Sequence, residues 1–482
     1  VAGLERGAVV LPGLDTELAA DALDDLQPTH PQFAMIQLLK RLDMTPGEVA
    51  PWPAPGIDGS HPARARLMAD ALSPAAETDG WRDLADPPEA ALLGITRVDC
   101  PGPEEEAGVI ALMMREVLEE AGRTAALVTP DQGLARRVGA ELRRWGVEVD
   151  NSAGMPLALT PPGVFLRLCV TAAAEGFPPA ALLALFKHPL AAGGEAGAAF
   201  RARARDLELV VLRGPRPAAG LDGLIRILGD KKAALGRWLA PIRDKARPLV
   251  DLLAAEETDL SRLLDAHVAF AEALAADDAG DGPRRLWAED AGRVAAGVVS
   301  ELKEAAAHLG PIPGRAYGAL LDQLMSGPVV RPAFGRHPRL FIWGLLEARL
   351  QHADLMILGG LNEGTWPPEA AADPWMSRPM RADFGLPAAE RRIVLTAHDF
   401  AQAASAPQVV MTRALRVEGT PTQPSRSLSR LDKFLLGREV RQLLPDAQWP
   451  LWQAGLDRPE RFPEVPARRP GRRWRRVPGV FR

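Results

Sequence analysis

Between residues 110 and 150 the apolar positions follow two different periods. Ile110, Met113, Met114, Val117 and Leu118 fall at i, i+3, i+4, i+7 and i+8, one face of a helix that Gly122 can terminate. Ala125–Val128 is an unbroken apolar run, suited to a parallel strand covered on both sides. Thr129-Pro130 reads as an N-cap followed by proline at the first helical position. Leu134, Val138, Leu142 and Trp145 then continue as the buried stripe of a second helix, closed by Gly146. Val147 and Val149 alternate with Glu148 and Asp150, which predicts another strand. Helix–strand–helix–strand at this spacing belongs to a doubly wound α/β sheet.

The flanking pattern differs. Ala8–Leu18 opens on a short apolar β-type run that gives way at Gly13 and Asp15, predicting a strand that leads into a loop. Residues 27–62 are rich in proline, with a helix at Gln32–Leu42, and the acidic stretch Ala75–Pro103 reads as a domain boundary. From about Pro162 to Arg336 only helical periods separated by Gly/Pro turns are evident, most clearly at Leu249–Ala255, Leu260–Ala275 and Arg293–Leu309. Strands resume at Leu340–Trp343, Leu355–Leu358 and Val409–Thr412, with a helix over Ala388–Ala404. The expected fold class is therefore α/β: a parallel sheet carrying a large all-helical insertion. No internal repeat is present.

Composition narrows the function classes. At 482 residues the chain is long enough for two or three cores. A formal net charge of −5 argues against a nucleic-acid binder over its whole surface, while leaving room for a local basic channel. No stretch approaches the roughly 20 uninterrupted apolar residues of a membrane span, and no basic-then-apolar leader opens the chain, so no membrane partner and a cytoplasmic, nucleoid-associated location are expected. Two cysteines, Cys100 and Cys169, are too few for a disulfide framework or an iron–sulfur cluster.

The phosphate-cradling pattern GxxxxGK[ST] occurs nowhere in the sequence. Such a loop supplies backbone N–H groups and a lysine to nucleotide phosphates, so ATP turnover by this chain alone is not expected. Glu301-Leu302-Lys303, a minimal ExK, lies on an amphipathic helix and reads as a solvated face. His398-Asp399 has no accompanying nucleophile or metal spacing. No catalytic residue and no metal site are expected.

The most specific region is 339–416, with RLFIWGLLEARL, ADLMILGGLNEGTWPPEAAADPWMSRPMR and AERRIVLTAHDFAQAASAPQVVMTRALR. It resembles the end of the second RecA-like domain of superfamily-one helicases, in the divergent form of the AddB and RecC subunits of bacterial helicase–nucleases. Leu346-Glu347 is similar to the GLE of helicase motif V, the run Gly360 to Gly364 to the turn after its strand, and Thr412-Arg413-Ala414 to the TRA of motif VI. Residues 124–154 resemble motif IV, with Arg136 at a phosphate-sensing position, and residues 7–15 resemble the region near motif III. Pro130 stands where active helicases carry a second basic residue, and about seven extra residues separate Glu347 from the strand at Leu355. Both departures favour the degenerate, RecC-like form.

The resemblance implies a subunit of an ATP-dependent helicase–nuclease that resects double-strand DNA breaks for recombinational repair. It implies an AddA-type helicase–nuclease subunit and single- and double-stranded DNA ends as partners, and ATP as cofactor of the complete protein, with no metal or iron–sulfur site in this chain. Implied nucleotide contacts are Arg136, Glu347 and Arg413, and implied DNA contacts are Asn362, Glu363, Trp366 and Thr412; in active relatives the motif VI arginine faces the γ-phosphate. The expected domains are 1–90, the end of a first RecA-like domain and a linker; 91–161 and 339–440, the two parts of the second; 162–338, a helical accessory insertion; and 441–482, a Pro/Arg-rich linker toward a nuclease domain. Val1 and the ending ARRPGRRWRRVPGVFR fit a piece of a longer or interrupted gene. Two other readings stay open: a fragment of an active UvrD-like helicase, and a catalytically silent protein-binding scaffold.

Overall fold

The structure, a computed structural model, describes residues 7–16, 26, 32–50, 62–73, 81–215, 218–331, 337–369, 374–386, 391–437 and 446–458. The chain divides into two compact units, Val1–Asp150 with His337–Arg482, and Asn151–Arg336. Its strands in chain order are β1 (Ile95–Cys100), β2 (Ala125–Val128), β3 (Asp150–Asn151), β4 (Met155–Pro156), β5 (Val329–Val330), β6 (Leu340–Trp343), β7 (Leu355–Leu358), β8 (Val409–Ala414), β9 (Arg416–Val417) and β10 (Thr420–Pro421).

Six strands form one sheet in the order β1-β8-β7-β2-β6-β3. The pairings from β1 across to β6 are parallel, with Ala125 opposite both Leu340 and Leu355. The two segments that flank residues 151–336 thus contribute neighbouring strands to one sheet. Both faces are covered, which is why AALV, LFIW and LMIL are continuous apolar runs. Strand alternation divides them: Ala125, Leu127, Ile342, Ile357 and Val410 pack against the helices Pro103–Val117 and Gln132–Leu142. Ala126, Val128, Trp343, Leu358 and Met411 face Phe400, Leu428, Leu431 and Phe434 on the other side. All five positions of the 110–118 stripe are covered by this packing, Leu118 only partly.

Several local expectations are corrected. No strand forms among residues 7–16; Leu11 and Leu14 pack on Ile36 and Leu39 of the helix Phe33–Arg41, while Val9 and Val10 are exposed and pair with no strand among the described residues. The residue that caps Gln132–Leu142 is Asp131, whose carboxylate accepts from the backbone N–H groups of Gly133 and Leu134; Thr129 is buried two residues earlier and its hydroxyl accepts from the Asp131 N–H. Val147 and Val149 belong to the helix-side core rather than to a strand, and the pairing begins at Asp150.

The stretch Ala75–Pro103 does not separate two units. Leu67, Met68 and Ala71 of the helix Pro62–Ala71 join the core formed by Phe400, Leu428 and Phe434. Arg64 is fully buried and donates to the backbone carbonyls of Ala91, Leu93 and Ala406, which ties this helix to the segments that lead into β1 and β8. Arg430 adds a second clamp, bonded to the Ala71 carbonyl at 3.1 Å and placed 5.2 Å from the Trp81 ring centroid. At the other end, helix Gln448–Gly455 packs Trp449 against the Pro103–Val117 side of the core, so a helix forms within the stretch expected to lack periodic structure. The Pro/Arg-rich ending at 459–482 lies outside the described residues.

Among its described residues, the unit Asn151–Arg336 is mainly helical, with a two-stranded antiparallel ribbon in which Met155 pairs with Val330 and Pro156 with Val329. The ribbon brings the two ends of this unit together; two residues per strand are too few to leave a periodic signal. Its core includes Phe165, Phe200, Leu239, Leu249, Leu263 and Phe270. His267 is buried there, with Nδ1 2.9 Å from the Tyr317 hydroxyl and Nε2 2.9 Å from the Leu166 carbonyl.

Candidate functional site at the carboxyl edge of the sheet

Parallel strands β1, β7 and β8 end side by side, and the crevice beyond strand C-termini is where open α/β sheets place their ligands. The residue that organises this edge is Glu106. It lies in the first turn of Pro103–Val117, in phase with Ile110, Met113 and Val117, so its carboxylate is carried into the interface between helix and sheet. There Oε1 accepts from the Gly360 backbone N–H at 2.8 Å and from the Thr412 hydroxyl at 2.6 Å. Burial pushes the Glu106 carboxyl up to about 7 against the opposing pull of these two donors.

The loop that Glu106 reaches is built on Gly359-Gly360. A Cβ on Gly359 would meet the Leu127 side chain at 2.7 Å, and Gly360 has φ +74°, a left-handed conformation that glycine adopts without strain.

Strand alternation sends the next residue of β8 to the opposite face. Thr412 is fully buried on the Glu106 side, while Arg413 turns toward Asp99, its partner in register on β1. The Arg413 Nε donates to Asn362 Oδ1 at 3.2 Å, and Nη2 donates to the Thr422 carbonyl and hydroxyl, both at 3.0 Å. Nη1 stands 3.9 Å from Asp99. Asp99 is itself gripped by Arg97 through two bonds of 2.9 and 3.0 Å, and Arg97 reaches Asp432 at 2.8 Å. Two arginines and two aspartates thus neutralise one another in a largely buried network. Chemically this is a closed cluster whose strongest donors already point at protein acceptors.

The sequence-derived candidates sort themselves by this geometry. Arg413, Asn362 and Thr412 come together at the strand ends, and Glu363 follows, exposed and bonded to the Arg426 backbone N–H at 3.1 Å and Nε at 3.2 Å. Thr412 and Trp366 do not present themselves to DNA. Trp366 is wholly buried, its indole N–H donates to the Gly359 carbonyl at 3.0 Å, and its ring packs edge-on against Phe400, so its faces serve the core rather than a base. Arg136 is exposed on Gln132–Leu142, and Glu347 is exposed in the turn after β6; neither is bonded to the Arg413 network. Arg413 likewise is not a free phosphate-facing finger in this conformation.

Glu106, Arg97, Asp99, Thr422 and Asp432 were not singled out from the sequence. Glu106 had a usable signal, a carboxylate in phase with an apolar helical stripe. Asp432 had none, because its partner Arg97 lies 335 residues away, whereas Arg97 and Asp99 sit at i and i+2 of β1, a spacing that places two side chains on one face of a strand. The pair His398-Asp399 is likewise explained by a distant residue: Asp399 is buried and holds Arg349 through bonds of 2.6 and 3.2 Å. Arg349 and Asp399 line a cavity of about 250 Å³ together with His352 and Gln402. Among the described residues no group of three or more His, Cys, Asp or Glu is placed to hold a metal ion, and no helix is long and apolar enough to cross a membrane.

The sequence matches no protein-family model, and no curated protein matches it.

Proposed function

We propose that this chain is a helicase-like, non-motor subunit of an ATP-dependent helicase–nuclease that resects double-strand DNA breaks. In this reading the six-stranded sheet is a degenerate RecA-like domain and residues 151–336 are its accessory insertion. The observation that carries it is the binding of the Arg413 guanidinium by Asn362 and Thr422. A motif VI arginine contributes to hydrolysis by facing a phosphate, and one whose donors are already satisfied inside its own domain is suited to a subunit that no longer turns over ATP. The lack of a GxxxxGK[ST] loop in this sequence and the resemblance over 339–416 support the same reading.

The test is reconstitution. The full chain is co-expressed with an AddA-type subunit from the same genome, and the pair is assayed for co-purification, single-stranded DNA binding and ATP-dependent resection of a duplex end. Stable association, DNA binding, and resection that requires both chains are expected, with no ATP turnover by this chain alone. DNA-stimulated ATPase that stays with the isolated chain through purification would transfer the assignment to an active UvrD-like helicase. Partner capture without any binding of DNA would leave a silent scaffold.

A further inference from the structure

The unit Asn151–Arg336 carries a concentration of positive charge that the chain as a whole hides. From Arg226 to Arg247 there are seven basic residues and two acidic ones, a local net charge of +5 in a chain of formal charge −5. Most of this segment is the helix Ala233–Ala254. Arg237, Pro241 and Lys245 recur on it at i, i+4 and i+8, so they form one ridge, with the two cations about 12 Å apart along the axis. Arg243, off this ridge, is neutralised by Asp222 and Asp244. Arg237 and Lys245 are exposed, and neither has an ion-pair partner among the described residues.

The ridge borders a pocket of about 360 Å³, within the range of roughly 300–1,000 Å³ usual for small-ligand sites. Its wall is apolar, formed by Trp238 and Ile242 of the same helix and by Phe270 and Leu274 of Leu260–Ala275. Trp238 is held rigidly, its ring packed edge-on against Phe186 and Phe200. Glu195 also lines the pocket, one oxygen accepting the Trp238 indole N–H at 2.8 Å and the other paired with Arg203 at 2.9 Å. A carboxylate has about four lone-pair sites, so Glu195 retains acceptor capacity toward a ligand N–H. The site therefore offers cations on its rim, an apolar wall and an acceptor inside.

We propose that this pocket receives a base of a single-stranded nucleic acid whose phosphates run along the Arg237–Lys245 ridge. Basic tracks beside aromatic and apolar walls are how single strands are bound without dependence on one sequence. Lys231 and Lys232, exposed in the turn that leads into this helix, add to the cationic stretch, which suits a strand better than a single nucleotide. The inference deepens the DNA-contacting role proposed above by moving the contact to residues outside the sheet edge.

The experiment measures binding of a fluorescent oligothymidylate of about twenty nucleotides to the full chain across a salt titration. The double variant Arg237→Ala/Lys245→Ala is expected to bind more weakly, with the slope of log K against log salt reduced by about 1.4, roughly 0.7 for each lost phosphate contact. Ala273→Trp, which fills the pocket without altering charge, is expected to weaken binding roughly tenfold. Thermal melts of both variants establish that they fold. Unlabelled thymidine monophosphate is expected not to displace the strand at matched nucleotide concentration. Equal displacement by the mononucleotide would make this a small-molecule site and overturn the proposal. Unchanged affinity and slope in folded variants would also overturn it, while leaving the subunit's DNA-binding role intact. If the unaltered chain binds no oligonucleotide, this proposal falls, and partner capture and resection still decide the role of the subunit.

Discussion

Glu106 and Thr412, 306 positions apart in the sequence, share a hydrogen bond of 2.6 Å beneath the ends of β7 and β8. The same carboxylate oxygen also takes the Gly360 N–H, so one buried side chain joins a helix, a strand and the loop after a second strand. Removing an acceptor from such a position leaves two buried donors unmatched, each costing about 1–3 kcal/mol.

Glu106 makes the stability of the sheet unit depend on pH. Its carboxyl is raised from 4.5 to about 7 in the folded state, chiefly by burial, so the folded form holds its proton longer than the unfolded form. Its contribution is fully present below about pH 4.5 and is lost as pH rises through about 7. The substitution Glu106→Gln, which keeps a carbonyl acceptor, is expected to flatten this dependence, whereas Glu106→Leu is expected to destabilise at every pH. Urea denaturation at intervals between pH 4.5 and 7.5 measures both; an unchanged slope in the glutamine variant would show that Glu106 is not the group responsible.

His267 works in the opposite sense in the helical unit. Burial lowers its pKa from 6.5 to about 4, so it folds neutral. The associated stability is present above pH 6.5 and is lost as pH falls through about 4, a matter of a few kcal/mol. Acidification from pH 6.5 toward 4.5 is therefore expected to weaken this unit while the Glu106 contribution strengthens the other. Hydrogen exchange resolved by segment reads the two separately, and Tyr317→Phe is expected to destabilise the His267 region by about 1 kcal/mol.

Arg413→Ala is expected to cost about 3 kcal/mol, because it strips Asn362 and Thr422 of their donor and leaves an unbalanced negative charge at Asp99 and Asp432. Arg413→Lys recovers little, since an ammonium cannot present the planar fork that reaches both sides. Denaturant unfolding together with nucleotide binding in the reconstituted complex distinguishes the roles. Loss of nucleotide affinity with stability intact would identify Arg413 as a phosphate contact after all.

Arg64→Met is expected to release Pro62–Ala71 from the sheet, since three backbone carbonyls lose a charged donor within a buried site. A destabilisation of about 3 kcal/mol and new proteolytic cleavage near Ser73 are the expected outcomes. Resistance equal to that of the unaltered chain would mean that apolar packing of Leu67 and Met68 holds the helix without the clamp.

For Trp366, replacement by Phe is expected to lower stability by about 1–3 kcal/mol through the lost indole bond to Gly359 and the volume left behind, with no change in single-stranded DNA affinity. Equal stability with weakened DNA binding would restore Trp366 as a base-stacking residue.

The runs at 125–128, 340–343 and 355–358, the helical stripe from Ile110 to Val117 and the helix Leu260–Ala275 were all legible in the sequence, and the structure forms each of them. They were legible because burial on one face or two imposes a period on neighbouring residues, and a period is a local property. Short elements were misplaced or missed: the strand expected from Val147 begins only at Asp150, and the Met155–Val330 ribbon left no trace, since two residues carry no period. The strand order, the docking of Pro62–Ala71 and the company kept by each polar residue were decided only in three dimensions. The motif at 412–414 marked the end of a strand, but alternation within that strand sent Thr412 to Glu106 and Arg413 to Asn362, and the crowding around Trp366 turned an apparent base-stacking residue into core. Whether a charged side chain is spent inside the fold or left for a ligand depends on partners 51 or 306 residues away. Those distances are closed by the packing of the whole unit, not by any local preference of the chain.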